Sequence, residues 1–145
     1  MPKKNQKTYK GIMVFVLDEE KNILLLKRIN NNQWEPIKGL MNDKEKWLSA
    51  SRRELKEKIN INPSKDLKIS LLEQGEVLEK NNNETIKIKG YAVYCFITGK
   101  KPSIDLKKNY EHSDFRWVSC EEIENEIIYP SVANKLVTKI KKELC

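Results

Sequence analysis

Cysteine is scarce in this chain of 145 residues, and the three present, Cys95, Cys120 and Cys145, stand singly. None has the spacing of a metal-ligand set, and free thiols in a reducing cytosol are the expected state. Long apolar runs are missing as well. No stretch approaches the length of a membrane span, so no membrane partner is expected. Residues 1–10 are polar and basic, without the apolar centre of a secretory signal, and the expected location is the cytoplasm. Histidine occurs once, at His112, and reads as a surface residue rather than a catalyst. There is no internal repeat and no low-complexity tract. What remains, at 39% hydrophobic, suffices for one ordinary domain over residues 8–145, after a disordered basic arm over 1–7.

Acidic residues are outnumbered, 21 against 28 lysines and arginines, giving a net charge of +7. That balance favours anionic partners, among them a nucleotide polyphosphate or RNA. Lys, Asn and Ile are used heavily throughout, however, so the excess also fits a compositional bias with lysines solvated on many faces. Charge alone names no ligand.

In chain order, Tyr9–Leu17 is apolar and β-branched enough for a buried strand, and Asn22–Arg28 makes a hairpin with it across Asp18–Asn22. Ile29–Gln33, with three consecutive asparagines, is a loop. Leu67–Leu78 and Ile86–Ile97 read as long strands around a polar tip, with Gly75 marking a bulge. Phe115–Val118 is a short strand and Glu121–Glu126 a short helix. A last helix begins near Tyr129-Pro130-Ser131, with Val132, Leu136, Val137, Ile140 and Leu144 as its apolar stripe. Strands, a helix, more strands and final helices suggest an α+β or α/β sandwich.

The stretch from Gly39 to Ile61 reads as loop, helix, loop. Asp43 is the expected N-cap, and Asn60 sits where the chain leaves the helix, with Pro63 beyond. At about 100° per residue, Leu48, Ser51, Leu55 and Ile59 form a stripe that can face a core. Glu54 and Glu57 fall on another arc beside small Ala50, so one face packs and its neighbour presents carboxylates. Oxygen ligands gathered in this way suit a hard divalent cation such as Mg²⁺. The plain competitor is an ordinary helix ion pair between Glu54 and Lys58, worth only about 0.3–0.5 kcal/mol at a surface.

The spacing resembles the signature of the Nudix hydrolases, G-x5-E-x7-R-E-U-x-E-E-x-G-U, where U is a bulky aliphatic residue. Gly39, Glu45, Arg53, Glu54, Leu55, Glu57 and Ile61 fall in register. Two positions depart: Lys58 stands where the family has the second Glu of its pair, and Asn60 where it has Gly. Asn tolerates the left-handed conformation that ends a helix, so the second departure is mild. The first turns a metal-binding carboxylate into a cation. Trp34-Glu-Pro-Ile-Lys-Gly39 resembles the family's lead-in to this motif, with Ile37 as an insertion. The resemblance implies a mixed central sheet flanked by helices.

It also implies Mg²⁺- or Mn²⁺-dependent hydrolysis of a diphosphate linkage in a nucleoside polyphosphate, either a dinucleoside polyphosphate or a nucleoside triphosphate. Glu54 and Glu57 would be metal ligands, with the Gly39 carbonyl as a further oxygen. Glu45 and Arg53 would form the salt bridge that steadies the motif. In the MutT-like branch, a loop Glu six residues before a strand Trp joins in metal binding or water activation, and Glu111 has that relation to Trp117. Glu54 and Glu111 are both candidates for the general base. On the substrate side, Lys38 can touch a phosphate, Trp34 and Tyr129 can stack on a base, and Asn134 can read a base edge. An aromatic is more often core than clamp, however, and Trp117 reads as core. Lys58 leaves two outcomes open: an enzyme of altered activity, or a lapsed Nudix-fold protein that binds a nucleotide or RNA without cleaving it. A decapping-type RNA enzyme is a third reading.

Overall fold

In the computed structural model, which describes residues 8–81, 84–99, 102–123 and 133–145, the first apolar run forms strand β1 (Thr8–Leu17). It is apolar on both faces because both are covered. Ile12, Val14 and Val16 enter one core cluster, and Phe15 and Leu17 enter the other. Along one edge, β1 runs parallel to β6 (Glu84–Phe96), from Thr8↔Lys87 to Leu17↔Phe96. β6 then pairs antiparallel with β5 (Ile69–Asn81). The other edge of β1 is shared. β2 (Asn22–Arg28) meets it at Leu17↔Ile23, while β4 (Ile37–Leu40) occupies it from Gly11↔Leu40 to Val14↔Ile37. β3 (Trp34–Glu35) and β7 (His112–Ser119) both pair with β2.

Helix α1 (Trp47–Ile59) closes the first face of this mixed seven-stranded sheet through Ala50, Leu55 and Ile59. Helix α2 (Ala133–Glu143) closes the second through Leu136, Val137 and Ile140, with Leu144 just beyond it. The α+β fold expected, with the mixed sheet flanked by helices that the resemblance implies, is the architecture found: an α/β/α sandwich.

Several local expectations need correction. β3 and β4 are strands within the Trp34–Gly39 lead-in, to which the sequence assigns no element, and β7 is longer than the Phe115–Val118 strand expected. The irregularity expected at Gly75 lies between Leu71 and Glu73, and Gly75 pairs with Gly90 in register. The extra residue there is Leu72, which enters the core beneath α2 while Leu71 stays largely exposed. Of the helix expected over 121–126, residues 121–123 form a turn, and 124–126 lie outside the described residues. The arm over 1–7 and the Tyr129–Val132 start of the last helix lie outside them too. Free thiols hold for Cys95 alone. The chain end after α2 returns beside the end of β7, and Cys120 and Cys145, with Cα atoms 6.0 Å apart, are joined. Burial pushes the Cys95 thiol up to about 12, which leaves it a core residue without nucleophilic character.

α1 departs most instructively. Asp43 does not cap it; Lys46 holds the N-cap position without a side-chain bond. The loop before the helix is fixed instead by Glu45, whose Oε1 accepts from the Asn42 N–H at 3.2 Å, and by Lys10, which donates to the Asp43 carbonyl at 2.6 Å. The buried arc is also rotated from the expected stripe. Leu48 is exposed, whereas Ala50, Ser51, Glu54, Leu55 and Ile59 are buried. Ala50 lets the helix approach the sheet closely, and that approach carries Glu54 inward. The C-terminal end follows expectation: Asn60 adopts φ 57°, ψ 38°, its N–H reaches the Lys56 carbonyl, and the Ile61 N–H reaches that of Leu55.

Candidate active site

Alternation along β4 turns Gly39 toward α1, since it lies opposite Ile12 of the α1-side core. Any Cβ at Gly39 would fall inside the Glu54 carboxylate, so the missing side chain is what gives that carboxylate its place. Glu54 is 2% exposed. Its Oε1 accepts from Arg53 Nη1 at 3.0 Å, and its Oε2 has no hydrogen-bond partner among the described residues. Burial pushes the Glu54 carboxyl above its ordinary range, opposed by the nearby charges of Lys58 and Arg53.

Arg53 ties the motif together. Its Nε and Nη2 each donate to Glu45 at 2.8 Å, and Nη2 also reaches the Leu40 carbonyl at 3.0 Å. Nη1 is shared between Glu54 and Glu57, with Glu57 Oε2 at 3.1 Å. One planar guanidinium therefore fixes the loop to the helix and holds two carboxylates side by side. The fork of hydrogen bonds from Arg53 holds Glu45 below the usual carboxylate range and raises Arg53 itself. Glu57, unlike Glu54, is about half exposed, so the two acids expected on one face have one foot in the core and one in solvent.

Lys58 does not pair with Glu54. Its Nζ lies 3.1 Å from Glu111 Oε1, and its side chain is only 12% exposed. Between them stands buried Asn109, which was not among the expected site residues. Asn109 Nδ2 donates to the Lys58 carbonyl at 3.0 Å, while Oδ1 accepts from the N–H groups of Glu111 and His112 at 2.9 and 3.1 Å. The Glu111 carbonyl accepts from the Ile29 N–H at 2.9 Å. The loop acid is thus joined by its backbone to the last turn of α1 on one side and to the end of β2 on the other.

His112 is a correction, because it is buried rather than at the surface. Its Nδ1 lies 3.0 Å from Asn109 Nδ2 and 3.2 Å from Oδ1, and its Nε2 is 3.4 Å from Glu35 Oε2. Glu35 also accepts from Arg28 Nη1 at 3.1 Å. Burial alone would raise Glu35, but His112, Lys38 and Arg28 outweigh it and hold the carboxyl low. These residues come from β2, β3 and the start of β7, so only the paired strands bring them together. The one local clue was Asn109, placed two residues before Glu111 where an Asx turn can form.

The remaining candidates divide. Lys38 precedes Gly39 on β4 and lies opposite Met13, which packs against the α2-side core, so alternation turns it away from Glu54. Trp34 is partly buried against that same core, and the Arg116 guanidinium lies 4.3 Å from its ring centroid. Trp117 packs against the α1-side core. Tyr129 lies outside the described residues, and Asn134 is on α2 with its side chain outside them.

Oxygen donors dominate the α1 side of this cluster, and the Glu54 oxygen without a partner is the kind of group a hard cation satisfies. A hard divalent ion is chemically compatible with these oxygens.

A family model described as the NUDIX domain matches residues 7–138. The chain is 29% identical over 130 residues to an RNA pyrophosphohydrolase from Pelagibacter ubique (strain HTCC1062), covering 81% of this chain and 80% of that protein. Among solved structures, a MutT protein from Methanosarcina mazei Go1 matches with a TM-score of 0.74 and 18% identity over 97% of each chain. An Ap4A hydrolase from C. elegans matches with a TM-score of 0.65 and 18% identity, over 94% of this chain and 96% of that one. At such identities the structural matches speak for the fold, while the family model speaks for the motif and nearly everything around it. With the Gly39–Ile61 register folded over one sheet and that match spanning most of the sequence, the chain belongs to the Nudix hydrolase family.

Proposed function

We propose that this Nudix hydrolase cleaves a diphosphate linkage in a nucleoside polyphosphate, with Mg²⁺ or Mn²⁺ held by Glu54 and Glu57. The observation that carries this reading is the Glu54 carboxylate, buried over Gly39 with one oxygen unpartnered among the described residues. A divalent ion there would supply positive charge for the phosphates and a polarised water. Arg53 orients both carboxylates and, being held cationic by Glu45, limits the repulsion between them. Glu54 and Glu111 are the two groups able to accept a proton from an attacking water, Glu54 from a desolvated position and Glu111 from an exposed one. Water attack on phosphorus would release a nucleoside monophosphate and a second phosphorylated product.

For the substrate, the Ap4A hydrolase neighbour supports a dinucleoside polyphosphate. The RNA pyrophosphohydrolase relative and the excess of lysine support RNA as the alternative. The Lys58–Glu111 pair gives weight to a second reading, a Nudix-fold protein that binds a nucleotide or RNA without hydrolysing it.

The test is product formation from dinucleoside polyphosphates, nucleoside triphosphates and 5′-triphosphorylated RNA with Mg²⁺ or Mn²⁺, resolved by chromatography. Turnover of one class, abolished in Glu54→Gln and Glu57→Gln, is the expected result. No turnover by the wild-type chain, with hydrolysis gained in Lys58→Glu, would replace it with the binding-protein reading.

A further inference from the structure

Lys58 occupies the middle of the buried arc of α1. At about 100° per residue it lies between Glu54 and Ser51 in angle, and both of those are buried. A lysine there is normally unfavourable unless its charge has a fixed partner. This one has Glu111, and the pair differs from an incidental surface contact in one respect. A single buried side chain, Asn109, binds the carbonyl of Lys58 and the amide of Glu111 together. Both stems are thereby positioned by backbone bonds before the two charges meet at 3.1 Å. The ammonium is also near enough to oppose the upward shift of Glu54.

The charge count follows. Glu54, Glu57 and Glu111 with Lys58 sum to two negative charges, which one divalent ion neutralises. A carboxylate at position 58 would make the sum four and call for a second. We propose that Lys58 is a tethered cation of the substrate site: it takes the place of one divalent ion, with Glu111 as its counter-ion until a polyphosphate displaces it. This rests on the reading that Glu54 and Glu57 hold a divalent ion. A flexible ammonium stem with three donors suits the task, because it can exchange a carboxylate partner for a phosphate oxygen with little movement. The proposal also gives Glu111 a definite state in each condition. It is paired when the site is empty, and it is released to water when the phosphate engages Lys58.

Two measurements separate this from a merely structural pair, and neither reads turnover. The first is the number of Mn²⁺ ions bound per chain, from the electron paramagnetic resonance signal of free Mn²⁺. Lys58→Glu is expected to bind at least one more ion than wild type, and Glu54→Gln to lose the wild-type site. The second is the affinity for inorganic tripolyphosphate in a chelator, where no metal contributes. Lys58→Gln is expected to weaken it roughly tenfold, as removal of one close charge contact would. Glu111→Gln is expected to strengthen it, since the competitor for the ammonium is gone. Circular dichroism of each variant confirms folding.

Equal Mn²⁺ counts for wild type and Lys58→Glu, or tripolyphosphate affinity unchanged in Lys58→Gln, overturn the proposal and leave the Glu54/Glu57 ion site standing. A Glu54→Gln variant that binds Mn²⁺ as wild type does removes that ion site, and this proposal with it.

Discussion

Gly39 has no side chain, and Glu54 lies in the space this leaves. Gly39→Ala must therefore displace the carboxylate. Turnover is expected to fall by about 10²-fold, in line with a shift of roughly 1 Å at a reacting group. A kcat within twofold of wild type would show that Glu54 has no such fixed place. Glu54 itself illustrates how a buried ionisable group can oppose stability. Burial raises its pKa above the unfolded value, so the folded chain binds a proton more readily than the unfolded one. Its contribution is then favourable at acid pH and is lost as pH rises from the unfolded value through the folded one. Glu54→Gln removes that unfavourable charge at neutral pH. In chelator, its melting temperature is expected to equal or exceed that of wild type while hydrolysis disappears. A clearly lower melting temperature in differential scanning fluorimetry would contradict this.

Among the elements, α1 was the most legible in sequence and also the most misread. Its end could be read from Asn60, because few side chains tolerate φ near 57° and Asn is one of them. Asn60→Ala should cost about 1–2 kcal/mol in urea unfolding and Asn60→Gly less, the difference reporting left-handed strain. Its start was hidden, since the loop over residues 41–46 is fixed by Glu45 and Lys10 rather than by a capping side chain. The rotation of its buried arc was hidden as well. The helix settles where small Ala50 meets the sheet, and no periodicity count distinguishes that from a stripe centred on Leu48. The resemblance to the Nudix signature pointed to Gly39, Glu45 and Arg53, whose contacts lie within one strand, one loop and one helix. Asn109 and His112 meet locally, but Glu35 reaches His112 only when β3 and β7 both pair with β2, and a linear reading has no access to that. Asn109→Ala tests the junction they form. It should cost about 1–3 kcal/mol of stability, because the Glu111 and His112 amides and the Lys58 carbonyl lose their partner.

For the molecule as a whole, acid sensitivity follows from carboxylates held low. Glu35 is buried, and the groups around it, His112 first, overcome the effect of that burial. A carboxyl with a lowered folded pKa adds stability above its unfolded value, and that stability is lost as pH falls through the folded one. Glu35→Gln is therefore expected to be less stable than wild type at neutral pH, with the gap closing as pH drops below about 4.5. A gap that stays constant with pH in thermal melts would assign the loss to packing instead.

The parallel ladder between β1 and β6 joins strands roughly eighty residues apart in the chain. Contacts that distant form slowly, because loop closure is paid before any pairing repays it. β1 to β4 and α1 all precede β6 in the chain, so the parts that carry Gly39, Arg53 and Glu54 are made before the strand that completes the parallel edge of β1. Until β6 arrives, that edge of β1 would offer backbone N–H and C=O groups to any neighbouring strand. Closing it is therefore expected to be a late step in building the sheet on which α1 rests.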